Sequence, residues 1–362
     1  MPAKRSTSAT GNKRVTVTDV ARRLGLSNTT VSMVLNRRGA EYGIAPATAK
    51  RVQHEARRMN FHPSAAARQL VGKRSNAVGV LINTEAIADP RLIQRMEILA
   101  AERGLRFIVG HAVGTSEKVK TYLDDFRARG VDGIISIFHG HPDYADTVLP
   151  QLARFDNVVY FEKPETPRRR AAANACYVQP NYYEIGRTGV QHLLDRGRRR
   201  IGTVLSDLVF PYARARFRAY GDALAAAGLK RERRLAWVTD RQPGMHWTSP
   251  FSEELAARAV EAVVTKGKAD AILAVNDLYA ARLIAALQRS GRRVPDDVAV
   301  IGCDNEDIGT VVAPRVTTFE LHVDQAAAAM VGLLFELLDR GQVARERRAV
   351  IVQPTLVVRE SS

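Results

Sequence analysis

The 362-residue sequence is short of several features, and each shortage excludes something. It has two cysteines, Cys176 and Cys303, both set in apolar strand-like runs. That is too few for a disulfide framework or a cysteine-built metal site, and buried free thiols in a cytoplasmic protein are the expectation. No apolar run approaches the roughly 18 residues that suggest a membrane span. The basic start, MPAKRSTSATGNKR, has no apolar segment behind it and so does not read as a secretory signal. Neither G-x-G-x-x-G nor G-x-x-x-x-G-K occurs, so no glycine-rich phosphate cradle is announced. HExxH, G-x-S-x-G and paired cysteines are missing too, which leaves a catalytic reading without support. His139 and His141 flank Gly140 with no carboxylate or thiol partner nearby, and they read as a loop rather than as metal ligands. No metal and no cofactor are expected.

Acidic residues are scarce at one end only. Residues 1–75 hold 15 Lys/Arg against 3 Asp/Glu and carry +12 of the net +16. A basic fifth joined to a nearly balanced body suits an appended module for a polyanion, nucleic acid first, with a merely solvated basic surface as the alternative. Within it, VTVTDVARRLGLSNTTVSMVLN reads as two short helices and a turn. Thr16 caps the first with Asp19 three residues on, Gly25 ends it, and Ser27 caps the second. Val31, Val34 and Leu35 then share one face, while Asn28, Thr29, Ser32 and Met33 face outward. A strand through the same residues would bury Met33 and expose Val34, and it would leave Gly25 and Ser27 without a role. A third amphipathic helix starts at Pro46 and runs through Val52, Ala56 and Met59, with Lys50, Arg51, Arg57 and Arg58 outside. Three such helices make a helix-turn-helix whose second helix enters the major groove.

VTDVARRLGLSNTTVSMVLN, followed by RVQHEARRMNFHPSAAARQLVGKRSNAVGV, resembles the headpiece and hinge of the LacI/GalR family of bacterial repressors. The resemblance implies base reading by Asn28, Thr29 and Met33. It assigns Thr16, Ser27, Ser32 and Asn36 to the DNA backbone. Ala67 and Leu70 match a hinge helix in the minor groove, Leu70 as the apolar wedge. Three departures stand out. Met33 replaces an arginine common in the family, RRGAEYG makes the following loop about three residues longer, and Ala45 stands where a capping serine is usual.

From Asn76 onward apolar runs alternate with amphipathic ones in two series. NAVGVLI, RFIVG, VDGIISIF and NVVYFE come first; RIGTVLSD, RLAWVTD, DAILAVN and DVAVIGCD follow. Parallel sheets with helices on both faces are expected, in two lobes with a cleft at the strand C-termini. VQPNYYEIGRTGVQHLLDRGRRRIG, YARARFRAYGDALAAAGL and AVNDLYAARLIAALQRSGRRVPDDVAVIGCDN are similar to the periplasmic-binding-protein-like core of the same family. By that likeness Arg216 grips an effector with Arg214 beside it, Asn276 and Asp304 bind effector hydroxyls, and Glu162 stands where an aspartate is frequent. Asn276-Asp277 can also be read as a helix cap, with Asp277 more a cap than a ligand. Trp247 or Phe251 could stack on a sugar ring or cover the cleft, and covering is the preferred reading.

The fold expected is an all-α helix-turn-helix headpiece plus an α/β two-lobed core. Its parts are a basic tail (1–14), the DNA-binding domain (15–60), a hinge and linker (61–75) and the core (76–362). The lobes are expected at about 76–174 with 321–347, and 175–320 with 348–362. The function implied is a cytoplasmic, non-enzymatic repressor. As a homodimer it would bind a palindromic double-stranded DNA operator under control of a small-molecule effector, a sugar by preference. A solute-binding protein or sugar-modifying enzyme with an appended headpiece is the alternative.

Overall fold

The computed structural model describes residues 15–36, 38–61, 74–82, 90–112, 116–137, 147–163, 175–206, 208, 210–239 and 251–362. The chain divides into two compact units, Met1–Ser75 and Asn76–Ser362.

The first unit is a three-helix domain. Helix α1 (Val17–Leu24) opens on a reciprocal capping box. The Thr16 hydroxyl accepts from the Asp19 amide, and Asp19 Oδ2 accepts from the Thr16 amide at 2.9 Å. Gly25 closes it at φ +66°, a left-handed conformation that costs glycine little. Helix α2 (Asn28–Leu35) starts where Ser27 Oγ accepts from the Thr30 amide at 3.0 Å. Its valine-rich sequence is helical because Val31 and Val34 close a core with Val20, Ala21, Val52 and Ala56. Burying one valine contributes about 1.5–3 kcal/mol, against a helix-propensity cost of at most ~0.7 kcal/mol per residue. Helix α3 (Pro46–Arg58) has no side-chain cap at Ala45 and begins on Pro46, whose fixed φ suits a first turn. The long loop before it is built. A 3₁₀ turn (Ala40–Tyr42) is closed by the Ile44 amide on the Gly39 carbonyl at 2.9 Å. Arg38 reaches Glu41 Oε2 at 2.7 Å and the Tyr42 hydroxyl at 2.9 Å.

In the second unit the order is β1 (Ala77–Ile82), α4 (Pro90–Glu102), β2 (Arg106–His111), α5 (Ser116–Ala128), β3 (Gly133–Ile137), α6 (Leu149–Leu152), β4 (Val158–Phe161) and β5 (Cys176–Pro180). Then come α7 (Tyr182–Asp195), β6 (Ile201–Leu205), α8 (Pro211–Ala226), β7 (Ala236–Val238), α9 (Glu253–Val260), β8 (Ala271–Ala274), α10 (Asp277–Arg289), β9 (Ala299–Ile301) and α11 (Ile308–Val311). The chain finishes with β10 (Thr318–Glu320), α12 (Val323–Arg340), β11 (Ala349–Val352) and β12 (Thr355–Val357). Two parallel sheets result, ordered β11-β5-β4-β3-β1-β2 and β7-β6-β8-β9, while β10 and β12 pair antiparallel. Each sheet is covered on both faces. Met96 of α4 and Met330 of α12 belong to one core of the first sheet, Leu123 and Phe126 of α5 to the other. On the second sheet α9 and α10 cover one face, α7 and α8 the other.

The lobe boundaries differ from those expected at 174/175 and 347/348. Strands β5 and β11, assigned from sequence to the second lobe, belong to the first sheet. Cys176 pairs in parallel with Val159, and Tyr177 with Ala349. Ladder hydrogen bonds to β4 decide the lobe, not nearness along the chain to the second series. The crossings fall just after Pro180, at β10 and at β12.

Candidate DNA-binding helix and interlobe site

On α2 the three residues assigned to base reading share one side. Asn28 and Thr29 are exposed, Met33 is half-buried, and none of them belongs to the headpiece core. Asn28 Nδ2 donates to the Thr18 hydroxyl at 3.3 Å, which holds the amide in place from the preceding helix. Ser27 and Thr16 spend their hydroxyls on capping, so a contact to DNA uses what capping leaves. Asn36 closes the helix, its side chain donating to the Ser32 carbonyl at 2.8 Å. Arg22, Arg23, Lys50, Arg51, Arg57 and Arg58 are all exposed, though Arg22 pairs with Asp19, and Arg23 and Arg58 pair with Glu55. Ala67 and Leu70 lie outside the described residues, as do His139, His141 and Trp247.

In the core, strand C-termini deliver most of the candidate effector residues. Glu162 follows β4, Asn276 follows β8 and Asp304 follows β9. Arg216 comes from α8 and is 5 % exposed. Its guanidinium donates to the Val275 carbonyl and to Cys303 Sγ at 3.0 Å, between the rings of Tyr182 (5.3 Å) and Tyr212 (5.9 Å). Its Nε meets no acceptor among the described residues. Glu162 is buried and accepts from the Tyr182 hydroxyl at 2.6 Å. Burial first, and the Glu162 charge second, push that hydroxyl well above the ordinary tyrosine range. Glu162 (φ +71°) and Asp304 (φ +94°) both sit in left-handed backbone, a conformation that costs a non-glycine residue about 1–3 kcal/mol and that collects at functional sites. Beside Glu162 opens a cavity of about 200 Å³ lined by Gln179, Tyr182, Tyr212 and Arg218.

Asn276, not Asp277, caps α10. Asn276 Oδ1 accepts from the Tyr279 amide at 2.9 Å, which leaves its Nδ2 for a ligand. Asp277 is fully buried and braces the turn after β9, accepting from the Glu306 amide at 2.8 Å. Burial pushes its carboxyl up to about 7. Gly302 is the residue that makes room, since a Cβ there would lie 2.1 Å from Asp277 Oδ1. Arg214 does not join this group. Two residues from Arg216, it is exposed, donates to the Leu208 carbonyl at 3.0 Å, and lines an open groove with Arg218, Lys230 and Arg231. Phe251 is 2 % exposed and stacks on Tyr279 with ring centroids 3.8 Å apart. Tyr182 and Tyr212 were not singled out from sequence; their signal was the run of aromatics around PNYYE and FPYAR.

A basic helix-turn-helix unit followed by a two-lobed α/β core, with polar groups gathered at the strand ends, is the architecture of a DNA-binding regulator. The comparisons agree. Residues 16–64 match the model described as bacterial regulatory proteins, lacI family, and residues 190–362 a periplasmic binding protein-like domain. Curated relatives include the HTH-type transcriptional repressor PurR of Photobacterium profundum, 29% identical over 354 residues covering 96% of this chain and 98% of that one. The PurR of Pasteurella multocida is 27% identical over 348 residues, with the same coverage. In fold the chain is similar to the lac repressor dimer bound to operator and the anti-inducer ONPF, with a TM-score of 0.79 at 22% identity over 96% of this chain and 99% of that one. It is also similar to the transcriptional regulator CelR in complex with cellobiose, with a TM-score of 0.68 at 23% identity over 96% and 100%. The chain thus carries a LacI-family DNA-binding domain followed by a periplasmic-binding-protein-like domain, and its curated relatives include transcriptional repressors. No helix among the described residues is long and apolar enough to cross a membrane.

Proposed function

We propose that this protein is a cytoplasmic repressor that binds a palindromic operator as a homodimer and releases or grips it according to a small-molecule effector, a sugar or sugar derivative, in the interlobe site. The observation that carries the effector half is the convergence of Arg216, Asn276, Asp304 and Glu162 on the strand ends, with one guanidinium buried between two tyrosine rings. Carboxylates and an amide suit hydroxyls, and a fixed guanidinium fork suits a polar ring substituent. Asn28, Thr29 and Met33 read bases, surrounding cations hold phosphates, and residues 61–75 form the hinge, with Ala67 and Leu70 in the minor groove. Two copies related by a two-fold axis would present their α2 helices to two half-sites. Effector binding changes the lobe orientation and thereby the spacing of the hinges. By reciprocity, operator DNA then changes effector affinity by the same factor.

A thermal-shift screen of sugars and sugar derivatives tests the site, because a ligand that binds only the folded state raises the melting temperature. The hit is expected to lose its shift in Asp304→Asn while operator affinity without ligand stays unchanged. A shift that survives this substitution contradicts the assignment. Arg216→Ala is a poorer test, since it also removes buried bonds to Val275 and Cys303.

A further inference from the structure

Across the lobe boundary, one side chain of the first lobe holds the turn that carries Asp304. Arg91 is the second residue of α4, and its guanidinium donates to two successive carbonyls of the second lobe. Nη2 reaches the Asp304 oxygen at 2.7 Å and Nη1 the Asn305 oxygen at 3.2 Å. Both residues are left-handed, at φ +94° and +50°, and both carbonyls face the same planar fork. The rest of the turn is fixed from its own side. The Asp304 amide donates to the Phe319 carbonyl at 2.9 Å, and Asn305 Nδ2 donates to Glu320 Oε2 at 2.8 Å. Phe319 and Glu320 lie on β10, one of the strands by which the chain passes between lobes. The Glu306 amide binds Asp277 at the head of α10. One turn thus joins a candidate effector carboxylate, a crossover strand and, through Arg91, the opposite lobe.

We infer that Arg91 is a positioning residue that holds the lobe orientation of this structure by clasping the Asp304–Asn305 turn. It rests on the effector reading only for its consequence, that a ligand at Asp304 is felt in the other lobe. A charge-assisted fork on two carbonyls exists in one lobe orientation, and any reorientation must break it.

Hydrogen–deuterium exchange of the full chain, without any ligand, tests this in wild type, Arg91→Ala and Arg91→Lys. In Arg91→Ala, peptides spanning 302–310 are expected to exchange about three- to tenfold faster, the equivalent of losing one or two modest hydrogen bonds. Peptides from β3 and α9 should be unchanged. Arg91→Lys keeps the charge and one donor and should recover part of the protection. If Arg91→Ala destabilises the whole chain, Arg91→Lys alone decides: faster exchange confined to 302–310 supports the clasp, and wild-type exchange there overturns it. Unchanged exchange at 302–310 in a folded Arg91→Ala overturns it as well. Because no ligand is present, failure here counts against Arg91 alone, whereas failure of the ligand screen counts against the effector site alone.

Discussion

Met33 shows how one side chain sets what a DNA-reading helix can ask for. It sits half-buried beside exposed Asn28 and Thr29, outside the headpiece core, and in the proposed reading its thioether makes apolar contact such as with a thymine methyl. Arginine at this position would offer a bidentate fork to guanine, worth about 1–3 kcal/mol of discrimination. Met33→Arg is therefore expected to move the preferred half-site toward guanine by roughly tenfold or more in relative affinity. Selection from a randomised half-site library measures it, and an unchanged preference would remove Met33 from the reading residues. Asp277 gives the second prediction at this scale. Its carboxyl is raised from the ordinary value near 4 to about 7 by burial, so between those limits the folded chain holds a proton that the unfolded chain has lost. The stability it contributes is full below about pH 4 and is lost as pH rises to about 7. Asp277→Asn should flatten that slope, gaining on wild type by about 2–4 kcal/mol from pH 4 to pH 7.5 in denaturant titrations. A difference independent of pH would contradict the assignment.

Between elements, one tight constraint on the effector site is the crossing of α7 over α8. A Cβ on Gly186 would lie 2.5 Å from the Arg216 carbonyl oxygen and 2.9 Å from Ala219 Cβ. Gly186→Ala must push α8 away, at a cost of about 1–3 kcal/mol, and carry Arg216 with it. Melting temperature should fall and affinity for any cleft ligand should weaken, while operator binding without ligand persists; loss of neither would show that the crossing is soft. Elements with local signals were legible in the sequence. The Thr16–Asp19 box, Gly25 and Ser27 placed α1 and α2 within a residue, because capping is chemistry between neighbours in sequence. The strands of the two main series were legible from their apolar runs for the same reason. Strands β10, β11 and β12 were not, because they belong to neither series and are defined by their pairing, β11 with β5 and β10 with β12. Distance along the chain hid the lobe assignment of β5, the separation of Arg214 from Arg216, and the bonds of Arg91 to residues more than 200 positions away.

For the whole molecule, the uneven charge separates two jobs. The headpiece residues carry most of the net charge, so DNA affinity should fall steeply with salt, with a slope near 0.9 per phosphate contacted, while ligand affinity in the core should barely respond. Sequence-specific DNA recognition by this headpiece can be measured directly. The purified full chain is incubated with sheared genomic DNA from its own source at physiological salt, and the retained fragments are sequenced. One enriched inverted-repeat motif is expected, lost when residues 1–75 are deleted. Retention without any motif above background, or a motif that survives the deletion, would contradict such recognition.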